Sequence, residues 1–342
     1  MHDPPARVAV VRMSAIGDTI HAVPVVASLR EAWPETRITW VIQPVPLQLM
    51  RGRPDVDEFL VFHRKRGLRA YPEFRRRVRD RRFDLVINLH PVFKGGVVTR
   101  LLPARERLGY DRERARDLSW AATDRRIPAR PTAHAQEEMF EFLEALDVPV
   151  RRRWDFHFTE AEREAAGAWR ATLERPALAV VTKSSRPAKD WTLDRYARVL
   201  EVARHDLGLE PVLVGGASAR ELAAARRLRR LCGFAPRVEL GDDLRRLAWL
   251  LDASDVVLSP DSGPLHLAVA LGTPTVGLYG YTDPRYAGPY RRFGDLLVDR
   301  YTRPGETAPS RETRPGNMEK IGEDDVLEKL ELALRRYVEP PV

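Results

Sequence analysis

Two successive series of short apolar segments, each alternating with segments of helical periodicity, run along almost the whole chain. Because the strand candidates are apolar throughout rather than on one face, they are typical of parallel strands covered by helices on both sides. The two series are separated at residues 148–153, VPVRRR, and 342 residues are enough for two domains with separate cores. The pattern therefore predicts an α/β fold with two doubly wound, Rossmann-like domains.

The predicted elements are as follows. In the first series, strands are expected at residues 8–12, 37–42, 59–62, 85–89 and 107–110, and helices at 20–32, 71–80 and 135–146. Residues 111–131 show a mixed signal and are expected to form a loop with a short helix. In the second series, strands are expected at 177–182, 211–214, 237–240, 256–259, 275–278 and 295–298, and helices at 160–173, 193–206, 220–231, 244–251 and 264–271. Residues 301–318 are predicted to be a loop and residues 324–337 an amphipathic helix.

A turn of small residues, 261–263, joins the predicted strand 256–259 to the apolar helix 264–271. A helix N-terminus offers unpaired N–H groups and a partial positive charge, so such a turn can hold a diphosphate. An ordinary strand-to-helix turn that binds nothing fits the same pattern.

A second turn of this kind, residues 13–19, follows the first predicted strand and carries Asp18. At the carboxyl edge of a parallel sheet, this side chain would point into the crevice where such folds bind ligands. Asp18 or Thr19 as a simple helix cap is the competing interpretation. The presence of one such turn in each half of the chain favours a ligand-binding role.

Four segments carry a resemblance to a known family: 14–24 (SAIGDTIHAVP), 189–191 (KDW), 261–268 (DSGPLHLA) and 282–284 (TDP). In this order, over nearly the whole chain, they resemble the heptosyltransferases, which are inverting glycosyltransferases of lipopolysaccharide synthesis. The resemblance implies transfer of heptose from ADP-L-glycero-D-manno-heptose to the Kdo/heptose inner core by direct displacement. It also implies a GT-B-type fold, in which two Rossmann-like domains face each other across a cleft.

The same resemblance implies a division of the chain into three parts. Residues 1–153 would form the acceptor-binding domain, and residues 154–322 the domain that binds the nucleotide sugar. Residues 323–342 would form a C-terminal helix that crosses back to the first domain. No metal and no cofactor other than the ADP-sugar donor substrate is implied.

For the reaction itself, the resemblance implies Asp18 as the general base that takes the proton of the acceptor hydroxyl. A general base typically contributes about 10²–10⁴-fold to the rate. Lys189 is expected to bind the donor diphosphate, with Lys183 as a competitor for that role. Ser184 and Ser185 match positions that contact the donor phosphates.

The turn at 261–263 is expected to complete the donor site. The backbone amides of Ser262 and Gly263 would face the diphosphate, and Asp261 would contact sugar hydroxyls or organise the turn. The resemblance implies a phosphate contact for His266, although an isolated histidine on an apolar helix is more often a hydrogen-bonded core residue.

Glu221 has two interpretations. Ser218 and Glu221 have the spacing of a capping box at the start of the predicted helix 220–231. In the family, a glutamate after the Gly-Gly turn at 215–216 binds the ribose of the donor.

The net charge of +8 is concentrated in the first half of the chain, with arginine-rich runs at 64–69 and 75–82. We expect Arg64, Lys65, Arg66 and Arg69 to bind an anionic acceptor of the lipid A/Kdo type, because basic residues are attracted to anionic membrane surfaces. An arginine-rich composition without any binding role is the alternative. No zinc-finger or RRM signature is present, so a nucleic-acid partner is not expected.

The location of the protein is predicted from its cysteine content and its lack of long apolar runs. A single cysteine, Cys232, rules out a disulfide within the chain and a zinc site built on cysteines. No apolar run approaches the roughly 20 residues needed to span a bilayer, and no leader segment precedes the first strand. We therefore expect a cytoplasmic protein that makes transient contact with the inner face of the cytoplasmic membrane.

The sequence departs from the family pattern in two places. Gly280 is followed by Tyr281 where many members have proline, and residues 301–318 contain no cysteine. Both changes bear on the nucleobase pocket and on the acceptor, so two alternatives stay open. One is a family member that uses a different nucleotide sugar for another surface glycan, and the other is a non-catalytic module that binds nucleotide sugars or glycolipids. A binding module would not need the carboxylate of Asp18.

Overall fold

The computed structural model of the protein describes residues 4–338. These residues form two compact units that meet in sequence between His157 and Phe158. This boundary lies a few residues after the predicted linker at 148–153. Each unit is built around its own parallel sheet.

Within the described part of the chain, the first unit contains six parallel strands in the order β3-β2-β1-β4-β5-β6. The strands are β1 (Arg7–Val11), β2 (Arg37–Ile42), β3 (Glu58–Val61), β4 (Phe83–Asn88), β5 (Ala104–Gly109) and β6 (Arg125–Arg126). The helices are α1 (Ile16–Ala32), α2 (Pro44–Met50), α3 (Ala70–Val78), α4 (Phe93–Leu101) and α5 (Ala135–Glu144). Strand β1 lies at the centre between β2 and β4, and its residues 8–11 are completely buried, as expected for a strand covered on both faces.

The second unit, again for the described residues, has six parallel strands in the order β12-β11-β10-β7-β8-β9. The strands are β7 (Ala177–Val180), β8 (Glu210–Gly215), β9 (Arg237–Leu240), β10 (Val256–Pro260), β11 (Thr275–Tyr279) and β12 (Leu297–Asp299). The helices are α6 (Glu160–Arg170), α7 (Leu193–His205), α8 (Ala219–Leu231), α9 (Leu244–Asp252), α10 (Gly263–Leu271), α11 (Pro284–Ala287) and α12 (Glu323–Tyr337). Strands β7 and β10 are paired at the centre, and α10 leaves the carboxyl end of β10.

Helix α4 is a helix that the sequence pattern did not predict. Its segment, FKGGVVTRL, contains Gly95 and Gly96, which favour turns in isolation. In the fold these glycines permit close packing. A Cβ on Gly95 would lie 2.5 Å from the Cβ of His90, and one on Gly96 would lie 3.2 Å from the Cα of Ser119. Helix α2, with two prolines in its first turn, was also missed.

The segment 111–131 is mostly loop with a short 3₁₀ helix at Ser119–Ala122, as predicted, but it also contains the unpredicted strand β6 and is anchored by a buried charge cluster. Arg114 donates to Asp111 at 2.5 Å and to Glu141 of α5 at 2.8 Å. The pKa of Arg114 is raised because these hydrogen bonds and charges outweigh the opposing effect of its burial. The loop is therefore held against the sheet by its own ion pairs.

Helix α12 belongs to the second unit, where it packs against α7 and β11. The side-chain N–H of Trp191 donates to the carbonyl of Ile321 at 3.1 Å, just before this helix begins. The predicted crossing of this helix back to the first domain stays a prediction that these contacts do not support.

Candidate active site

Asp18 lies at the carboxyl edge of the first sheet, in the first turn of α1 directly after β1. One carboxylate oxygen accepts a hydrogen bond from the backbone N–H of Ala15 at 2.9 Å, and the other pairs with Arg12. The side chain is nevertheless 42% exposed. Asp18 therefore caps its helix and still presents its carboxylate to a ligand, so the two interpretations of this residue are compatible.

The electrostatic surroundings of Asp18 keep it ionised. Removal from bulk solvent acts to raise its pKa, but the Arg12 guanidinium and the Ala15 amide outweigh this and hold the pKa below its ordinary value. Arg12 is itself buried and fixed by a 2.5 Å hydrogen bond to the carbonyl of Leu89. At neutral pH the carboxylate is thus in the form that can accept a proton.

His90 is a second titratable group beside Asp18, at the end of the neighbouring strand β4. It is buried, and its Nδ1 has no hydrogen-bond partner among the residues that the structure describes. Burial and then the positive charge of Arg12 lower its pKa to about 3, with smaller contributions from Arg64 and Lys94. His90 is therefore neutral at physiological pH and lies within the field of several cations.

The predicted acceptor-binding cations lie in the 3₁₀ segment Arg64–Arg69 after β3, which is kinked at Gly67 with a φ of +61°. All are exposed, and Arg66 pairs with Glu73 at 2.7 Å. The positive charge of Arg64 is one of the smaller causes that lower the pKa of His90, and a contact of these cations with an acceptor stays a prediction.

In the second unit, Asp261 is the centre of the predicted donor turn. Its Oδ2 accepts hydrogen bonds from Lys189 and Thr282, both at 2.5 Å, and its Oδ1 lies 3.3 Å from Nε2 of His266. The carboxylate is almost completely buried. The structure therefore brings together three predicted side chains from two separate segments, namely Lys189 of 189–191 with Asp261 and His266 of 261–268.

This network sets the charge state of the turn. Burial acts to raise the pKa of Asp261, but the hydrogen bond from His266 and the charge of Lys189 hold it well below its ordinary range. Asp261 is consequently an ionised anchor for Lys189. Of the two predicted roles for Asp261, organisation of the turn is the one that these contacts support.

Ser262 and Gly263 begin helix α10 as the pattern predicts. The hydroxyl of Ser262 accepts a hydrogen bond from the N–H of Leu265 and lies 2.9 Å from the hydroxyl of Ser259. Gly263 and Pro264 occupy the first helical positions. Pro264 has no N–H, and the N–H groups of Leu265 and His266 bond to Ser262, so the amides of Ser262 and Gly263 are the ones at this cap that can bind an anion.

The two candidate lysines, Lys183 and Lys189, both follow β7 but pair with different carboxylates. Lys183 pairs at 3.2 Å with Asp190, which also accepts from the amide of Ser184 at 2.9 Å and from Arg220 at 2.5 Å. Ser184 is buried, and Ser185 beside it is exposed. Lys189, rather than Lys183, is thus the lysine that reaches the turn at 261–263.

Glu221 forms the predicted capping box with Ser218 at the start of α8. The backbone N–H of Gly216 also donates to its carboxylate, at 2.7 Å. A Cβ on Gly216 would lie 2.9 Å from the same carboxylate, and Gly215 has a φ of +144°. The carboxylate is therefore held directly over the glycine turn, which confirms the capping box. Its contact with a ribose stays a prediction.

Three residues of these two sites were not singled out from the sequence: Arg12, His90 and Thr282. Thr282 carries a usable signal, since it belongs to the segment 282–284 that supports the resemblance. Arg12 and His90 carry none, because their roles depend on the pairing of β1 with β4.

There is no group of three or more His, Cys, Asp or Glu side chains within residues 4–338 that would hold a metal ion. None of the helices in this range combines the length and the apolar character needed to cross a membrane.

Known proteins are similar to this chain in sequence over most of its length. Lipopolysaccharide core heptosyltransferase OpsX of Haemophilus influenzae is 28% identical over 295 residues, which cover 86% of this chain and 84% of that protein. Lipopolysaccharide heptosyltransferase 1 of Pseudomonas aeruginosa is 27% identical over 305 residues, which cover 84% of this chain and 82% of that protein.

Solved structures share the fold. A family 9 glycosyltransferase from Veillonella parvula gives a TM-score of 0.78 at 24% identity, covering 96% of this chain and 97% of its own. The Escherichia coli heptosyltransferase WaaC with ADP gives 0.74 at 23% identity, covering 96% and 99%. The predicted α/β, GT-B-type fold class is thereby confirmed. The model of glycosyltransferase family 9 (heptosyltransferase) matches residues 72–309, well over half of the sequence, so the chain belongs to this family and is a glycosyltransferase.

Proposed function

We propose that the protein transfers heptose from ADP-L-glycero-D-manno-heptose to the Kdo/heptose inner core of lipopolysaccharide, with inversion and with Asp18 as general base. The observation that carries this proposal is the carboxylate of Asp18, which is ionised, partly exposed and fixed at the carboxyl edge of the first sheet. Support for the sugar and the acceptor comes from relatives whose names describe lipopolysaccharide heptosyltransferases.

In the proposed reaction, the acceptor hydroxyl attacks the anomeric carbon of the donor as its proton passes to a carboxylate oxygen of Asp18. The bond between this carbon and the diphosphate oxygen breaks, and ADP leaves with the electron pair. Inversion follows from displacement in a single step. Charge that develops on the departing diphosphate is stabilised by preorganised positive groups.

The second domain supplies those groups in our proposal. Lys189 and the backbone amides of Ser262 and Gly263 face the diphosphate, and Asp261 keeps the lysine in place. Its ion pair with Lys189 fixes the side chain before any ligand arrives. We assign Ser184, Ser185 and His266 to the donor phosphates and Glu221 to the ribose. No metal ion is required, because cations and helix amides carry the leaving group.

The first domain binds the acceptor in this proposal. Arg64, Lys65, Arg66 and Arg69 provide a positive surface for the anionic groups of a lipid A/Kdo-type glycolipid, whereas nucleic acid is not a partner. We place the reaction in the cytoplasm, at the inner face of the membrane, which is compatible with a chain that has one cysteine.

The test is the substitution Asp18→Asn, which keeps the shape of the side chain and removes the base. We expect kcat to fall by about 10²–10⁴-fold, while affinity for ADP stays unchanged. Asp57→Asn is a matched control, since Asp57 is 40% exposed, pairs with Arg30 at 2.5 Å and accepts a backbone N–H from Ile38. Equal rates for Asp18→Asn and the parent would overturn the assignment of the base and favour a binding module.

The donor is identified by a thermal-shift comparison of ADP-, UDP-, GDP- and dTDP-linked sugars. A ligand at about 100 times its dissociation constant stabilises the folded state by ~2.7 kcal/mol. We expect this shift for ADP-heptose alone. A larger shift with another nucleotide sugar would instead favour a related transferase for a different surface glycan.

A further inference from the structure

Large apolar side chains are exposed on consecutive loops of the first domain. Leu68 is 86% exposed after β3, Phe93 is 55% exposed after β4, and Leu118 is 67% exposed after β5. Val45, which follows β2, is exposed as well. Isolated exposed apolar residues are normal, but four of them after two pairs of adjacent parallel strands, β3-β2 and β4-β5 on either side of β1, need an explanation.

These side chains share the carboxyl edge of one sheet, because all the strands before them are parallel. Hydrogen bonds hold two of the loops together. The hydroxyl of Ser119 and the N–H of Arg116 both donate to the carbonyl of Pro91, at 2.7 and 2.6 Å, so Leu118 lies on a loop fixed against the start of α4. The loop with Leu68 leaves the same edge of the sheet after β3, with β2 and β1 between it and β4.

Positive charge surrounds the apolar residues. Leu68 lies within the segment 64–69, RKRGLR, where Arg64, Lys65 and Arg69 have no ion-pair partner within residues 4–338. Lys94 is exposed next to Phe93. Beside Leu118 the charges are mixed, with exposed Arg112 and Arg116 against Glu113 and Asp117.

We propose that Leu68, Phe93 and Leu118 form an insertion edge that enters the interface of an anionic lipid bilayer while the neighbouring cations contact lipid headgroups. Apolar side chains on a basic surface are the combination that holds a protein in the plane of such an interface. Each Lys or Arg close to an anionic surface adds about fivefold to the binding constant. Through this edge the protein would reach the glycolipid acceptor in the membrane, so the inference rests on the proposed function.

The experiment measures binding of the whole protein to vesicles in the absence of donor and acceptor. Vesicles contain equal parts of phosphatidylcholine and phosphatidylglycerol, or phosphatidylcholine alone. We expect binding to the anionic vesicles at low salt, and a loss of at least about tenfold in the double variant Leu68→Ser, Phe93→Ser, because two apolar side chains no longer leave water. Both positions are exposed, so a melting curve equal to that of the parent is expected.

A labelled variant reports insertion directly. Cys232 is buried and burial raises the pKa of its thiol to about 11, so a thiol-reactive, environment-sensitive dye selects a new exposed cysteine. The label on Leu68→Cys is expected to shift to shorter wavelength with anionic vesicles. The label on Val238→Cys is not, because Val238 lies between the ion-paired residues Arg237 and Glu239 of β9.

Three results would overturn the insertion edge: no binding of the parent to anionic vesicles, equal binding to neutral vesicles, or equal binding of the double variant. Failure of the proposed function is seen separately. If Asp18→Asn kept full activity, the assignment of Asp18 as the general base would be wrong. Vesicle binding is measured without substrates, so that result would leave the insertion edge untouched.

Discussion

Acidification is predicted to destabilise the first domain through His90. In the folded protein this side chain is buried, its Nδ1 has no partner among the described residues, and the guanidinium of Arg12 is nearby. These conditions penalise the imidazolium form and lower the pKa of His90 to about 3 from the ordinary value of 6.5. At a pH between these two pKa values, His90 binds a proton in the unfolded chain but not in the folded chain.

The sign and size of the effect follow from this difference in pKa. Stability from the neutral His90 is fully present above about pH 6.5 and is lost as the pH falls towards 3. At pH 5 the unfolded state would gain about 2 kcal/mol relative to pH 7 from this one group.

The assay compares the parent with His90→Gln by amide hydrogen exchange of peptides from β1 and β4, corrected for intrinsic exchange rates. Glutamine cannot take up a proton in this range, so the difference between the two proteins isolates His90 from the other histidines. We expect the opening free energy of the parent to fall by about 2 kcal/mol more than that of the variant between pH 7 and 5. Equal losses would refute the reasoning, as would an NMR titration that gives His90 a pKa near 6.5.

Two further predictions concern packing and the donor turn. Gly95→Ala should lower stability by roughly 1–3 kcal/mol in thermal unfolding, since its Cβ would lie 2.5 Å from that of His90; Gly167→Ala, in α6 with open space around it, is the control and should be neutral or stabilising. Lys189→Ala should weaken ADP binding in calorimetry by about 10–100-fold, the range of a lost charge-assisted hydrogen bond. Lys183→Ala should change the affinity for ADP little, because Lys183 pairs with Asp190. A larger loss of affinity in Lys183→Ala than in Lys189→Ala would make Lys183 the diphosphate-binding lysine.

The strands could be predicted from sequence because a buried parallel strand is apolar along its whole length. The predicted strands 37–42 and 237–240 coincide with β2 and β9, and the other predicted strands differ by a few residues at their ends. Helix α4 could not be predicted because its two glycines are required by tertiary packing. Gly95 packs against His90 across a turn, and Gly96 packs against Ser119, which is distant in sequence. The capping box of Ser218 and Glu221 could be predicted from the sequence because all its atoms lie within one helical turn.

The sites show the same division between local and long-range information. Asp18 and the turn at 261–263 follow from motifs in single segments. Arg12 beside His90 depends on which strands are neighbours, and sequence spacing contains no such information. The position of Lys189 on Asp261 also joins distant segments, and only the resemblance selected it over Lys183.

The two ionised carboxylates of the candidate sites have different surroundings, and this difference separates their roles. Both Asp18 and Asp261 have a lowered pKa and a cationic partner. Asp261 is buried and receives contacts from Lys189, Thr282 and His266, so it has no free path to a substrate proton. Asp18 is 42% exposed and keeps lone pairs that its contacts with Arg12 and Ala15 do not use. A general base must reach the proton that it removes, and among these two carboxylates that condition is met by Asp18, whereas Asp261 is suited to hold a cation in place.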